Sequence, residues 1–253
     1  MVTLQWFQEK DTAIFCDFLS RWPTLKAVQL ARRSTLETFF REHHVRYADV
    51  IAQRIQAITS ATPLTTDDGV IAPHALLVQA LVAPLRVTLQ AIADFDTAIA
   101  QRAQSHPDFP LFQALPGAGP VFAPRLLVAF GEQRDRSASA ADLQKYAGIA
   151  PVTERSGTKS WVHWRLQCPK FVRHTFMEWA AASIRHAFWA GVFSQQQRDK
   201  GKAHQAAVRA LAFTWIRILY RCWQQRTPYD ESVYLQALKR RNALLLHNLA
   251  NLS

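Results

Sequence analysis

One short segment of this 253-residue chain carries residue types that could act on a phosphate group, the run ERSGTK at positions 154–159. A serine hydroxyl is a weak nucleophile unless a base, a metal ion or a strong positive field activates it. Ser156 is the one candidate nucleophile, and Arg155, Lys159 and Arg165 are near enough in sequence to hold a phosphate. The alternative is an ordinary Ser-Gly turn, which the residues alone favour over catalysis.

Other catalytic patterns are not found in the sequence. His163 and His174 could act as bases, but isolated histidines are more often structural or exposed. There is no His-Glu-x-x-His, Walker or Gly-x-Ser-x-Gly motif. The three cysteines are too widely separated for a disulfide framework or a Cys-x-x-Cys site. We therefore expect no metal site and a reducing, cytoplasmic location.

The positive charge is concentrated in one block. The net charge is +11, yet residues 1–150 contain 14 Lys and Arg against 14 Asp and Glu. Residues 151–226, which we call the basic block, contain 13 Lys and Arg against 3 Asp and Glu. This excess predicts nucleic-acid binding, with a solvated face or an anionic membrane surface as weaker alternatives. The interleaved Trp and Phe residues have helical spacing, which indicates core positions.

The composition predicts a mainly α protein, because glycine is scarce at 8 residues and Ala, Leu, Gln and Arg dominate long stretches. Residues 1–46 form a short helical segment, which is equally consistent with a small DNA-binding unit and with a cap on the next segment. The acidic N-terminus excludes a signal peptide. We find no apolar run near the 18–20 residues, roughly, that span a bilayer, and expect a soluble protein without membrane contact.

Residues 47–105 predict a helical hairpin. Apolar residues recur every three or four positions in its second helix, typical of a coiled-coil seam within the hairpin or between chains. Pro84 should kink that helix or end its first part. Asp67 and Asp68 precede a glycine, which favours an Asx-type loop over a metal site. The repeat comprises Leu81, Leu85, Thr88, Ile92, Phe95 and Ile99.

Residues 106–241 form the third region, followed by a tail at 242–253. The turn Pro116 to Gly119 lies between apolar segments and matches a helix-hairpin-helix motif, although a plain interhelical turn would look the same. Ser139 is expected to cap a short helix that stops at Gly148. Alternation around Val162 predicts a short β-ribbon. Helices resume at Pro169, and Leu238 to Arg241 should form a frayed basic end.

These motifs, in this order, resemble a known family. LPGAGP, LQKYAGIAPVTERSG, a basic segment and long helices are similar to the C-terminal domain of insertion-sequence transposases of the 116/110/902 type. FLSRWPTLKAVQLARRSTLETFF and the hairpin resemble that family's middle region. The resemblance extends from about residue 4 to about residue 241.

The resemblance implies a DNA recombinase that moves its own element, works with a structured bridge RNA and assembles as an oligomer. In that family a serine in the C-terminal domain attacks DNA, and an N-terminal RuvC-like domain holds divalent metal such as Mg. The attacking serine corresponds to Ser156. The positions expected to contact DNA are Pro116, Gly117, Gly119, Arg125, Arg155, Gly157, Lys159, Arg165, Lys170 and Arg173.

The chain departs from the family pattern at two points. It contains no counterpart of the RuvC-like domain, so no metal ligand is transferred and no cofactor is expected in this chain. Cys168-Pro169 stands where many relatives have glycine, which puts the local loop geometry in question. The sequence therefore predicts a truncated or split transposase that binds nucleic acid but does not recombine it alone. The alternative is a non-catalytic module for DNA or RNA binding and oligomerisation.

Overall fold

The computed structural model describes residues 5–163 and 165–240. Over these ranges it has twelve α-helices and a single two-stranded antiparallel sheet, which confirms the mainly α fold. The chain divides into two compact units, residues 1–97 and 98–253.

The first unit has one aromatic core. Phe18, Phe40 and Ile58 are fully buried at its centre, so the two segments on either side of position 46 share that core. Asp17 joins the elements on one side by accepting hydrogen bonds from His43 and Arg86. Its helices are α1 (Ala13–Arg21), α2 (Leu25–Gln29), α3 (Arg33–Glu42) and α4 (Ala48–Thr59).

A 37-residue helix, α5 (Asp68–Gln104), begins in the first unit and continues past its boundary. Both Pro73 and Pro84 lie inside it. Of the two effects predicted for Pro84, an end of the helix at this residue is therefore wrong, and a kink stays a prediction. A proline removes a single N–H donor, and the remaining backbone bonds of so long a helix hold it together. The Asx-type loop before the helix is confirmed, because the Gly69 N–H donates to Asp67 Oδ1 at 2.8 Å.

The sequence prediction of no long apolar segment is also wrong. An 18-residue window of α5 has a mean hydropathy of 1.6, so this helix is long and apolar enough to cross a membrane by length and composition alone. Between residues 70 and 93 the only charged residue is Arg86. Because Pro73 and Pro84 are read as helix breaks in the sequence, this segment was not predicted to be one continuous apolar helix. A single such helix is weak evidence of a membrane span, and no membrane association is indicated.

The apolar repeat of α5 is largely exposed within the chain. Leu81, Ile92, Phe95 and Ile99 keep 59%, 51%, 68% and 49% of their surface accessible. Leu85 is the exception, since it packs partly against the core of the first unit. Apart from Leu85, the predicted seam is therefore not covered by residues of the same chain in the described ranges.

The second unit is built from short helices, a ribbon and two long helices. Its elements are α6 (Phe109–Gln113), α7 (Gly119–Phe130), α8 (Ala140–Tyr146), β1 (Val152–Ser156), β2 (Lys159–His163), α9 (Lys170–Ser183), α10 (Phe188–Asp199), α11 (His204–Gln225) and α12 (Glu231–Arg240).

Local signals for these elements are mostly confirmed. The Ser139 hydroxyl accepts the Asp142 N–H at the start of α8, and Gly148 follows its end with φ of 67°. Leu238 to Arg240 belong to α12, so the frayed end predicted there is wrong for those three residues. Arg241 and the predicted tail at 242–253 lie outside the described residues, as does Trp164.

Three tryptophans form the centre of the second unit. Trp179, Trp189 and Trp215 are fully buried. The centroid of the Trp215 ring lies 4.8 Å from that of Trp179 and 4.7 Å from that of Trp189. Each indole N–H has a partner: the Pro116 carbonyl, the Tyr229 hydroxyl and the Ser183 hydroxyl, respectively. The prediction that most aromatics of the basic block are core residues is confirmed for these three, which we call the tryptophan core.

Candidate nucleic-acid interface

The segment containing Ser156 is a two-stranded ribbon, β1 and β2, which we call the basic ribbon. Ser156 pairs with Lys159 at its tip, and Val152 pairs with His163 at its base. Gly157 opens the two-residue turn with φ of 59°, the backbone that a glycine supplies at the first position of a type II′ turn. The predicted β-ribbon is therefore confirmed, with the serine at its end.

Strand alternation decides which side chains share a face. Directly paired residues lie on the same face of a ribbon, and neighbours along a strand lie on opposite faces. Ser156 therefore shares its face with Lys159, while Arg155 lies on the other face opposite Ser160. Every residue of β2 is exposed, and so is every residue of β1 except Val152, which is half-buried. The tip offers a hydroxyl and an ammonium group to any large molecule that approaches it.

The acidic residue of the ribbon, Glu154, contacts residues of β2. Glu154 accepts the Trp161 indole N–H at 3.0 Å and lies 3.3 Å from His163 Nε2. This cross-strand group fixes the Glu154 carboxylate toward the base of the ribbon. His163 is held there with it, so it is not next to the Ser156 hydroxyl.

The other predicted basic residues lie beyond the ribbon base. Arg165 follows β2, Lys170 is the first residue of α9, and Arg173 is one turn further. Arg173 Nη2 donates to the main-chain carbonyl of Arg165 and, at 3.4 Å, to that of Leu166. The structure thus brings Arg165 and Arg173 together, at the opposite end of the ribbon from Ser156.

Arg125 is placed inside the second unit. Its guanidinium forms an ion pair with Glu178 at 2.7 Å, donates to the Thr175 hydroxyl at 3.2 Å, and lies over the rings of Phe122 and Phe171. These contacts position α7 against α9. A contact of Arg125 with DNA stays a prediction.

The turn between α6 and α7 contains the predicted glycines. Gly117 and Gly119 have φ of 71° and 52°, values that residues with a Cβ rarely adopt. A Cβ at Gly117 would lie 2.7 Å from His186 Cδ2, whereas Gly119 has open space around it. The Pro116 carbonyl is held by Trp179. Close packing therefore requires Gly117, and the helix-hairpin-helix interpretation stays a prediction.

One further basic residue, Arg209 on α11, was not among the positions expected to contact DNA. Its side chain is half-buried, and burial together with the nearby Arg173 lowers its pKa to about 10. It differs from the other α11 arginines, Arg217 and Arg221, which are exposed. Its position could have indicated partial burial, because Arg209 directly follows Val208, which is buried. Among the described residues, no group of three or more His, Cys, Asp or Glu side chains could hold a metal ion.

Comparison with known proteins gives consistent matches. Residues 110–195 match the model of the Transposase IS116/IS110/IS902 family. A Streptomyces coelicolor protein named as a mini-circle transposase for IS117 is 32% identical over 158 residues, covering 62% of this chain and 38% of that protein. A 42 kDa protein of insertion element IS900 from Mycobacterium paratuberculosis is 27% identical over 220 residues. The match covers 83% of this chain and 53% of that protein.

A third relative, the 43.6 kDa protein of insertion element IS110 from Streptomyces coelicolor, is 27% identical over 218 residues, covering 84% of this chain and 52% of that protein. The chain spans about half or less of the length of these relatives. The family match includes the turn at 116–119, the basic ribbon and α9. Over residues 110–195, the chain is therefore similar to transposases of the IS116/IS110/IS902 family.

Proposed function

We propose that this chain is the nucleic-acid-binding and serine-bearing part of an insertion-sequence transposase. The observation that carries the proposal is the basic ribbon, which holds Ser156 at an exposed tip beside Lys159. A two-stranded ribbon fits the major groove of B-DNA, and exposed cations gain affinity by releasing the counterions of each phosphate. The net excess of ten positive charges in residues 151–226 supports the same reading.

The proposed chemistry is a transfer of a phosphodiester to Ser156. The serine Oγ forms a bond to phosphorus, one P–O ester bond of the DNA breaks, and the leaving oxygen takes up a proton as the serine loses its own. Lys159 lies on the same face and is suited to stabilise the charge on the phosphate oxygens. Arg155 and Arg165 lie elsewhere, so in this proposal they hold the DNA backbone away from the reacting phosphorus.

The metal-dependent half of the reaction is proposed to come from a RuvC-like domain, as the family resemblance implies. We expect this chain by itself to bind DNA and leave it uncut. Structured bridge RNA is a second proposed partner. It should compete with duplex DNA for the chain in the same binding assay.

A covalent-trapping experiment tests the role of Ser156. The full chain is supplied with Mg²⁺, labelled insertion-sequence DNA and a family member's RuvC-like domain, and protein–DNA adducts are separated under denaturing conditions. The wild type should form an adduct and Ser156→Ala none. Ser160→Ala is the matched control, because that serine lies in the same ribbon on the other face. An adduct of normal yield with Ser156→Ala would reject the serine as nucleophile, and cutting by the chain alone would reject the need for a second domain.

A second candidate function, oligomerisation through α5, is supported by its exposed apolar repeat. Leucine, isoleucine and phenylalanine side chains left in water favour burial against a second copy, at about 25 cal/mol for each Å² covered. The spacing of three and four residues suits a coiled coil, in agreement with the resemblance.

The oligomer is tested by light scattering after size-exclusion chromatography. The wild type should elute as a dimer or larger, and Leu81→Asp combined with Ile92→Asp should yield monomers. Val87→Asp is the control, because Val87 is 70% exposed but lies off the repeat. A wild type that stays monomeric at high concentration would remove this candidate.

A further inference from the structure

An open cavity of about 380 Å³ lies in the first unit, where α3 ends and α4 begins. Arg41, His44 and Arg46 line it, and no carboxylate side chain does. Ligand sites measure about 300–1,000 Å³, so the cavity is large enough for a nucleotide-sized group. Its remaining lining residues are apolar: Val45, Ala48 and Ile51. Three basic side chains around one opening favour an anion as the bound molecule.

The basic side chains of this cavity are not held by other parts of the described chain. All three are exposed, and neither Arg41 nor Arg46 forms an ion pair with a carboxylate of the described residues. The acids nearest in sequence, Glu42 and Asp49, do not line the cavity. An anion can therefore pair with these arginines without first breaking an ion pair.

The backbone at His44 has a conformation that normally requires glycine. The His44 N–H donates to the Arg41 carbonyl at 2.9 Å, and the Val45 N–H donates to the Phe40 carbonyl at 3.0 Å. These two bonds form a Schellman motif, in which the residue at the position of His44 is usually glycine. The φ of His44 is 60°, and Arg226 is the other described residue with a positive φ that is not glycine. A histidine kept against this backbone preference indicates a role for its side chain.

The adjacent histidine, His43, already makes the structural contacts at this corner. Its two ring nitrogens each lie 2.8 Å from a partner, the Phe39 carbonyl and the Asp17 carboxylate. The His44 ring lines the cavity and has no hydrogen-bond partner among the described residues. The strained backbone at His44 is therefore not offset by a contact of its side chain within the unit, which leaves binding of another molecule as its role.

We propose that Arg41, His44 and Arg46 form a binding site for a phosphate group. The inference rests on the proposed function for the source of that group, which is a phosphodiester of the nucleic-acid backbone. A guanidinium group pairs with two phosphate oxygens at once, and an imidazole N–H supplies a further donor. Tyr47, next to Arg46, is 71% exposed and offers a ring on which a base can stack. Residues outside the basic block would thus also contact the nucleic acid.

The first test uses inorganic phosphate and needs no nucleic acid. Thermal unfolding of the full chain is followed at constant ionic strength while phosphate replaces chloride. At ten times the dissociation constant, phosphate should raise the wild-type Tm by about 3 °C. Arg41→Gln combined with Arg46→Gln should lose this shift. Arg32→Gln should keep it, because Arg32 is exposed at the opposite end of α3 and does not line the cavity. Equal shifts in all three proteins would overturn the site.

A glycine variant, His44→Gly, separates binding from folding. Glycine relieves the backbone strain, so this variant should melt about 2 °C above the wild type in chloride. It should also bind phosphate about threefold more weakly, measured from the dependence of Tm on phosphate concentration. A variant that melts lower than the wild type, or that binds phosphate equally well, would contradict a histidine retained for binding.

The second test uses a labelled DNA duplex and a labelled RNA hairpin, and separates this inference from the proposed function. The double variant Arg41→Gln and Arg46→Gln should bind at least one of them about fivefold more weakly, with the slope of log K against log salt reduced by about 1. The probe that shows the change identifies the source of the phosphate.

The two ways of failing differ in this experiment. If the wild type binds both probes and the double variant keeps its affinities and slopes, the site is overturned and the proposed function stands. If the phosphate shift depends on Arg41 and Arg46 but the wild type binds neither probe, the phosphate site is supported and the proposed function is rejected.

Discussion

The tryptophan core and the basic ribbon come from the same basic block of 76 residues, yet they treat their aromatic and charged residues in opposite ways. In the core, Trp179, Trp189 and Trp215 are fully buried and each indole N–H has a partner. In the ribbon, Trp161 remains 41% exposed and the charged tip faces solvent.

The difference separates stability from recognition. An isolated two-stranded hairpin is marginally stable in water, so the ribbon contributes little to folding. The tryptophan core lies among the helices of the second unit, and Trp179 belongs to α9, the helix that follows the ribbon. Substitutions in the core should therefore act on the free energy of unfolding, and substitutions of the charged side chains at the ribbon tip should act on nucleic-acid binding.

The largest expected effect is that of Trp215→Ala. This ring contacts Trp179, Trp189 and Tyr229 and donates a hydrogen bond to Ser183. Its removal leaves a large cavity and should lower the free energy of unfolding by about 4 kcal/mol, measured by circular dichroism in urea. Trp161→Ala in the ribbon should change it by about 0.5 kcal/mol. Similar losses in the two variants would erase the distinction between the regions.

Glycine substitutions compare the packed loop after α8 with the ribbon tip, since the backbone φ is positive at both positions. Gly148→Ala should cost about 3 kcal/mol, because the added Cβ meets Cys168 and Arg173 in addition to the positive φ. Gly157→Ala should cost about 1 kcal/mol, because its φ is also positive but nothing lies within 4 Å. The same urea titrations measure both. If Gly157→Ala proved as costly as Gly148→Ala, the ribbon tip would have to be packed against something.

A smaller effect on stability than that of Trp215→Ala or Gly148→Ala concerns alkaline pH and Tyr229. Burial raises the pKa of Tyr229, and the hydrogen bond from Trp189 opposes this only in part. The unfolded phenol ionises near pH 10, so its contribution is complete below that pH and is lost as the pH rises further. Between pH 9 and pH 11 the wild type should lose about 1 kcal/mol more stability than Tyr229→Phe. Parallel pH profiles of the two proteins would show that the phenol is not buried in solution.

Much of this architecture was predictable from the sequence because the signals were local. The cap at Ser139, the stop at Gly148 and the ribbon around Val162 each depend on a few neighbouring residues. Helical spacing likewise predicted burial of Trp179 and Trp215.

The remaining features depend on contacts between distant residues. Continuity of α5 through Pro84 could not be derived from proline's local preference, because the flanking turns outweigh one lost hydrogen bond. The lowered pKa of Arg209 comes from burial and from Arg173, 36 positions earlier in the sequence, which residue spacing along one helix does not reveal. The separation of Arg155 from Ser156 onto opposite faces required the strand register.

The central claim, that the ribbon tip recognises nucleic acid while the core holds the fold, is tested most directly by one variant, Arg155→Gln combined with Lys159→Gln. Its affinity for a labelled duplex is measured by fluorescence anisotropy over a range of salt concentrations. We predict an unchanged Tm, about tenfold weaker binding, and a slope of log K against log salt reduced by about 2. A folded variant with the affinity and slope of the wild type would contradict the claim.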